Sequence, residues 1–253
     1  MLVQDCLQKS LWGGERMDIR HTVSSFAVIL SNVFYHARFR FAIAVLTEAG
    51  PQWYGYAIYL KEALCMNTFD ALRLRRSIRK FRPEPVSPAL LREIVEVSRL
   101  YPSGGNLQPI RFAVITDRAL TDALFPTLRW AMYLPDYKID ESERPTAYVI
   151  LLRDEKIRKN CDYDVGAAST TVMLAAVEKG LATCPIGNFH AAALTDLLGL
   201  TENLKPELVL AVGYPAQEST VVPMADTVRY TQDETGAFLV PKWNTEDVLV
   251  FDK

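Results

Sequence analysis

After Ser87-Pro88 the chain settles into helical spacing: Leu91, Ile94, Val97 and Leu100 recur on one predicted inward face, and Pro102 closes the helix. Upstream, Asn67 stands three positions before Asp70, a capping arrangement, and Phe69, Leu72 and Ile78 supply an apolar side that carries a helix toward an arginine cluster. Residues 112–116 read as a short strand and residues 147–152 as a longer, more apolar one. Residues 162–178 predict a long helix ended by Gly180. Its small side chains, from Gly166 and Ala168 to Ala175 and Ala176, let another backbone or a flat ligand approach. Residues 183–189 read as a turn, residues 190–198 as a short helix ended by Gly199, and residues 208–212 as a third core strand. Beyond Pro223 the periodicity fades, as in a tail laid over a surface. The order of elements is mixed α+β and lacks the strand-helix alternation of a doubly wound sheet.

Residues 1–65 differ in texture. They carry two of the three histidines, two of the four tryptophans, and apolar patches at residues 26–30 and 41–46 without clean helix caps. Two readings stand open: a functional arm, or an extension unrelated to a core domain spanning residues 66–253. The 253 residues are enough for one large core, and 49% apolar with 23% charged residues describe an ordinary folded chain. A formal net charge of -2 provides no overall positive field for nucleic acid. Cys6, Cys65, Cys161 and Cys184 form no close pair and no metal-ligand spacing, so reduced thiols in a cytoplasmic protein are expected. No apolar run reaches the length of a membrane span.

Chemistry concentrates in three places. Arg75-Arg76-Ser77-Ile78-Arg79-Lys80-Phe81 groups three guanidinium groups and a hydroxyl, a set suited to phosphate oxygens and sugar alcohols; a solvated helix end is the plainer reading. Pro102-Ser103-Gly104-Gly105-Asn106-Leu107-Gln108-Pro109 can bring backbone amides close to a ligand, with Asn106 and Gln108 matching the edge of a heterocycle. It is neither a dinucleotide fingerprint nor a P-loop. Cys184-Pro185-Ile186-Gly187-Asn188 can hold amides against a ring. Cys184 itself reads as a buried packing residue, His190 as a helix cap, and Asp162 and Asp164 as helix-start residues. No acid-base pair or metal cluster stands out, which points to chemistry carried by a cofactor.

These three motifs, the small-residue helix and Leu208-Val209-Leu210-Ala211-Val212-Gly213-Tyr214-Pro215, taken in order and spacing, resemble the nitroreductase family of FMN-dependent flavoproteins over residue 66 to nearly the C-terminus. The resemblance implies an α+β fold with a central, largely antiparallel sheet flanked by helices. It implies an intertwined homodimer with two FMN sites at the interface. By the same resemblance, Arg75, Arg76, Ser77 and Arg79 hold the phosphate and ribityl chain, and Arg229 is a second phosphate ligand. Pro102, Ser103, Gly104 and Asn106 reach the flavin from the partner chain, and Pro185, Ile186, Gly187 and Asn188 lie beside its reactive part. The implied activity is ping-pong electron transfer from NADH or NADPH to a small flat acceptor such as a nitroaromatic, quinone or enone. Flavin binding without turnover is one alternative; a heterocycle dehydrogenase, reductive dehalogenase or flavin-cleaving enzyme is another. The chain departs from the family pattern at Ile110, at Thr227-Val228-Arg229 and at Ile186, positions where relatives often carry an aromatic residue, Lys-x-Arg and an acidic residue.

Overall fold

The computed structural model describes residues 28–33, 40–45 and 66–252. The chain divides into two units, Met1–Met66 and Asn67–Lys253. In the first, β1 (Val28–Val33) pairs antiparallel with β2 (Arg40–Val45). Cys6, Cys65 and most of the amino-terminal arm lie outside the described residues.

The second unit is built on a four-stranded, wholly antiparallel sheet. Its order is β3 (Ile110–Ile115), β4 (Ala147–Asp154), β6 (Leu204–Gly213), β5 (Ala182–Ile186). The two central strands read as unbroken apolar runs because both faces are covered. Alternation along them sorts the side chains into two cores. Val149, Leu151, Leu210 and Val212 pack with Leu91 and Ile94 of α2 (Pro88–Ser98) and with Ala168 and Val172 of α4 (Asp162–Glu178). Tyr148, Ile150, Val209 and Ala211 pack on the other face with Phe81, with Leu124 of α3 (Arg118–Leu124) and with Leu194 of α5 (Ala191–Leu198). A bulge between Leu151 and Leu152 leaves Glu207 unpaired beside Pro206, where a missing N–H is tolerated.

Several sequence expectations need correction. Residues 182–186, read partly as a turn, form the outer strand β5, which accommodates Pro185 because it lies at a sheet edge. The tail folds into its own small sheet: β7 (Ser219–Pro223) pairs parallel with β9 (Phe238–Lys242), and β8 (Thr231–Gln232) pairs antiparallel with β9. In α2 the inward face consists of Leu91, Ile94 and Ser98, leaving Val97 50% exposed, and Leu100, beyond the end of the helix, is 70% exposed. In α1 (Thr68–Leu74) the buried residue is Ala71, and Phe69 is 71% exposed. The small residues of α4 have a use within one chain, since buried Ala168 and Ala176 belong to the core shared with α2. Gly180 and Gly199 do follow α4 and α5, each with positive φ.

Gly213 ends β6 against Phe81, which is fully buried. A Cβ at position 213 would lie 2.9 Å from the Phe81 ring and 3.1 Å from its Cβ. Gly213→Ala is therefore expected to destabilise the fold by about 1–3 kcal/mol through overpacking. A denaturant-unfolding midpoint equal to that of the wild type would refute the crowding argument.

Candidate functional site

α1 stops at Leu74. Arg75 turns extended, at φ -57° and ψ 123°, while its N–H still bonds the Ala71 carbonyl at 2.9 Å. The arginine cluster thus lies beyond the helix, in an extended segment stitched to the sheet. Ser77 forms a parallel bridge with Thr183 of β5, and the Ile78 N–H donates to the Thr183 carbonyl at 3.0 Å. The Arg82 N–H donates to the Tyr214 carbonyl at 2.8 Å, and the Ala216 N–H to the Lys80 carbonyl at 3.0 Å. Lys80 Nζ lies 2.7 Å from Glu143 Oε2, a bond that raises the ammonium pKa. Arg76 donates from Nη1 to the Arg75 carbonyl at 2.6 Å, but its buried Nε has no hydrogen-bond partner. Burial, followed by the neighbouring Arg75 charge, lowers the Arg76 pKa.

Arg79 is held differently. Its guanidinium carbon lies 4.8 Å from the centre of the Tyr230 ring and 4.6 Å from that of Phe238. Tyr230 also meets Tyr133, with ring centres 5.0 Å apart, and Arg229 sits 5.7 Å from the centre of the Tyr133 ring. Two arginines distant in sequence therefore share one aromatic ladder. Gln217 secures its base, accepting the Arg79 N–H at 3.2 Å and donating to the Tyr137 hydroxyl at 3.1 Å. Spacing along the chain hides this arrangement, because the ladder draws on residues 133, 137, 230 and 238. The prominence of Tyr230 beside Arg229 is the one sequence signal of it.

The Ser77–Thr183 bridge brings the arginine segment alongside the strand that contains Pro185 and Ile186. Gly187 and Asn188 follow at the strand end, where the Asn188 carbonyl accepts the Arg129 N–H at 3.0 Å. Cys184 points into the core, and burial pushes its thiol up to about 11, against the opposing pull of the Arg79 charge. It is a protonated packing residue at neutral pH. His190 caps α5, its Nδ1 accepting the Ala193 N–H at 3.4 Å.

The Pro102-to-Pro109 turn does not join this group within one chain. It precedes β3, the opposite edge strand, three strand spacings or about 14 Å across the sheet from β5. Gly105, Asn106 and Gln108 all have positive φ, at 60°, 56° and 51°. The two residues with side chains make this a costly backbone. A carboxylate read from sequence only as a helix-start residue anchors it: buried Asp164, in the first turn of α4, accepts the Ser103 hydroxyl. Ser103 Oγ in turn accepts the Gln108 N–H at 2.9 Å. Gln108 Nε2 donates to the Asn106 side-chain oxygen at 3.0 Å.

Residues 72–214, more than half of the chain, match the model of the nitroreductase family. The chain belongs to this family. It is 27% identical over 206 residues to the 4-nitrobenzoate reductase of Pseudomonas putida, covering 63% of this chain and 90% of that protein. It is 30% identical over 173 residues to the NADH dehydrogenase of Thermus thermophilus, covering 57% of this chain and 84% of that one. A crystal structure of a nitroreductase family protein from Clostridium difficile superposes with a TM-score of 0.51 at 23% identity, over 63% of this chain and 88% of that one. The fold is the nitroreductase fold.

In this nitroreductase-family chain the Asp164–Ser103 bond joins a buried carboxylate to a strained turn, and a hydrogen bond of that kind contributes about 1.5–3 kcal/mol. Asp164→Ala should lower stability by about that amount and speed hydrogen exchange at the Gln108 amide. Asp164→Asn, which keeps an acceptor oxygen, should lose less. Exchange at Gln108 unchanged in Asp164→Ala would separate the carboxylate from the turn.

Proposed function

We propose that this protein is an FMN-dependent oxidoreductase that passes electrons from NADH or NADPH to a small, flat organic acceptor by a ping-pong cycle. The observation that carries the reading is a set of uncompensated cationic donors, three in the segment bridged to β5 and one joined to it through the aromatic ladder. Among the described residues Arg75, Arg76, Arg79 and Arg229 take part in no ion pair with a carboxylate, and Arg76 Nε is buried without any partner. A phosphate monoester supplies the acceptor oxygens that such a set lacks.

In this reading Arg75, Arg76, Arg79 and Arg229 bind the phosphate, and Ser77 takes a ribityl hydroxyl. Amides at Ile186 and Gly187, with the side chain of Asn188, border the ring. FMN, when bound, supplies the two-electron centre that the nicotinamide reduces and the acceptor reoxidises. The turn residues Pro102, Ser103, Gly104, Asn106 and Gln108 belong to the same site by way of a second copy of the chain. Their place at the opposite sheet edge supports a shared-site homodimer, as do the exposed Phe69, Leu72 and Leu74 of α1. No helix among the described residues is long and apolar enough to cross a membrane. A cytoplasmic dimer is part of this proposal.

The similarity to a 4-nitrobenzoate reductase supports nitroaromatics as acceptors. A similarity of 25% identity to the iodotyrosine deiodinase of Thermotoga neapolitana keeps halogenated phenols in the test. The purified protein, loaded with FMN under anaerobic conditions, should lose its yellow colour on addition of NADH or NADPH. Colour should return with one of a nitroaromatic, a quinone, an enone or a halogenated phenol. Bound flavin that neither nucleotide bleaches would establish flavin binding without turnover in place of this reading. Arg75→Ala, losing one charge-assisted contact, should weaken FMN about tenfold or more in a flavin titration, and unchanged affinity would remove Arg75 from the phosphate site.

A further inference from the structure

Four of the rings near the arginines form a chain of contacts. Tyr133 meets Tyr230 at 5.0 Å, Tyr230 meets Phe238 at 5.4 Å, and Phe238 meets Tyr137 at 5.5 Å. Tyr230 occupies the centre: it touches Arg79 and Phe238, and it touches the ring that carries Arg229. A carboxylate could also hold two arginines together, but it would cancel the charge they bring. Aromatic faces offset the repulsion and leave the charge intact. A contact with a ring also uses no hydrogen-bond donor of the guanidinium, so its N–H groups are left to bond. Arg79 gives one nitrogen, Nη1, to the Ser77 carbonyl at 3.3 Å, and its remaining guanidinium nitrogens have no hydrogen-bond partner among the described residues.

We infer that Tyr230 is a positioning residue for the phosphate of the bound flavin, fixing Arg79 directly and Arg229 through Tyr133 so that both cations serve one dianion. The inference rests on the flavin reading above and adds a residue to it. Tyr230 lies just before β8, so the small carboxy-terminal sheet becomes part of cofactor selection, favouring a phosphorylated flavin over its alcohol.

The test compares FMN with riboflavin, which lacks the phosphate, by titrating the apoprotein of the full chain. Tyr230→Leu should weaken FMN about three- to thirty-fold and leave riboflavin within about twofold, and Tyr230→Phe, which keeps the ring, should bind FMN like the wild type. On FMN alone, the losses from Tyr230→Leu and Arg79→Met should be less than additive, because the ring acts through the guanidinium. Equal losses for both flavins, a Tyr230→Phe variant as weak as Tyr230→Leu, or strictly additive losses would each overturn the positioning role. A wild-type chain that binds neither flavin would overturn the flavin reading itself. A wild type that binds FMN, with affinity unchanged in Tyr230→Leu, would overturn only the role of Tyr230.

Discussion

Guanidinium groups repel one another and give up water when brought together, so a chain that places three of them in one segment beside a sheet edge must hold them by other means. Here the means is largely backbone. The Ile78 N–H bond to the Thr183 carbonyl hooks the arginine segment onto β5, and the bonds from Arg82 to Tyr214 and from Ala216 to Lys80 fasten its far end to the chain leaving β6. These amides fix where the arginine side chains leave the backbone, and further contacts decide where their heads lie. Arg76 is left with a buried, unpaired nitrogen, and Arg79 settles against two rings that also touch each other. The backbone positions of Arg75, Arg76 and Arg79 follow from that edge pairing, while Arg229 comes from the tail and meets the Tyr133 ring.

The strands and helices visible in the sequence were those whose surroundings are uniform. Residues 147–152 and 208–212 are covered on both faces, and α4 closes with a glycine of positive φ, so local pattern and tertiary outcome agree. β5 was hidden because five residues containing a proline and followed by Gly187-Asn188 look like a turn until a neighbouring strand is supplied. The helix before the arginines ends at Leu74 in the structure, short of Ile78, which stands six residues past Leu72 and nine past Phe69 and so lies off their helical face. The structure buries Ile78 with the β5 face of the core and exposes Phe69. Val97 keeps the period of α2 while lying off its buried face, and Leu100 falls past the helix end at Ser98.

The motifs of the candidate site were legible as residue types, and their supports were not. The arginine cluster and the glycine turn announce themselves through composition. Asp164 resembles any acid in the first turn of a helix, and only its burial under Ser103 reveals a second task. The aromatic ladder joins residues about a hundred positions apart, so no window along the chain contains it. The turn and the arginines, near neighbours in sequence, prove to be separated by the width of the sheet. Proximity along the chain was a poor guide to proximity in space.

The bridge at Ser77 also ties the arginine segment to strand register. Side chains alternate along β5: Ala182, Cys184 and Ile186 enter one core, while Thr183 and Pro185 face the other way. A slip of β5 by one residue would send Cys184 and Ile186 to the opposite face and displace the Thr183 carbonyl by about 3.3 Å along the sheet. The arginines, hooked to that carbonyl, would shift with it relative to β6. Placement of a surface charge cluster is thereby indexed to the packing of an interior thiol and an isoleucine, and the apolar core serves as the ruler from which the polar edge is measured.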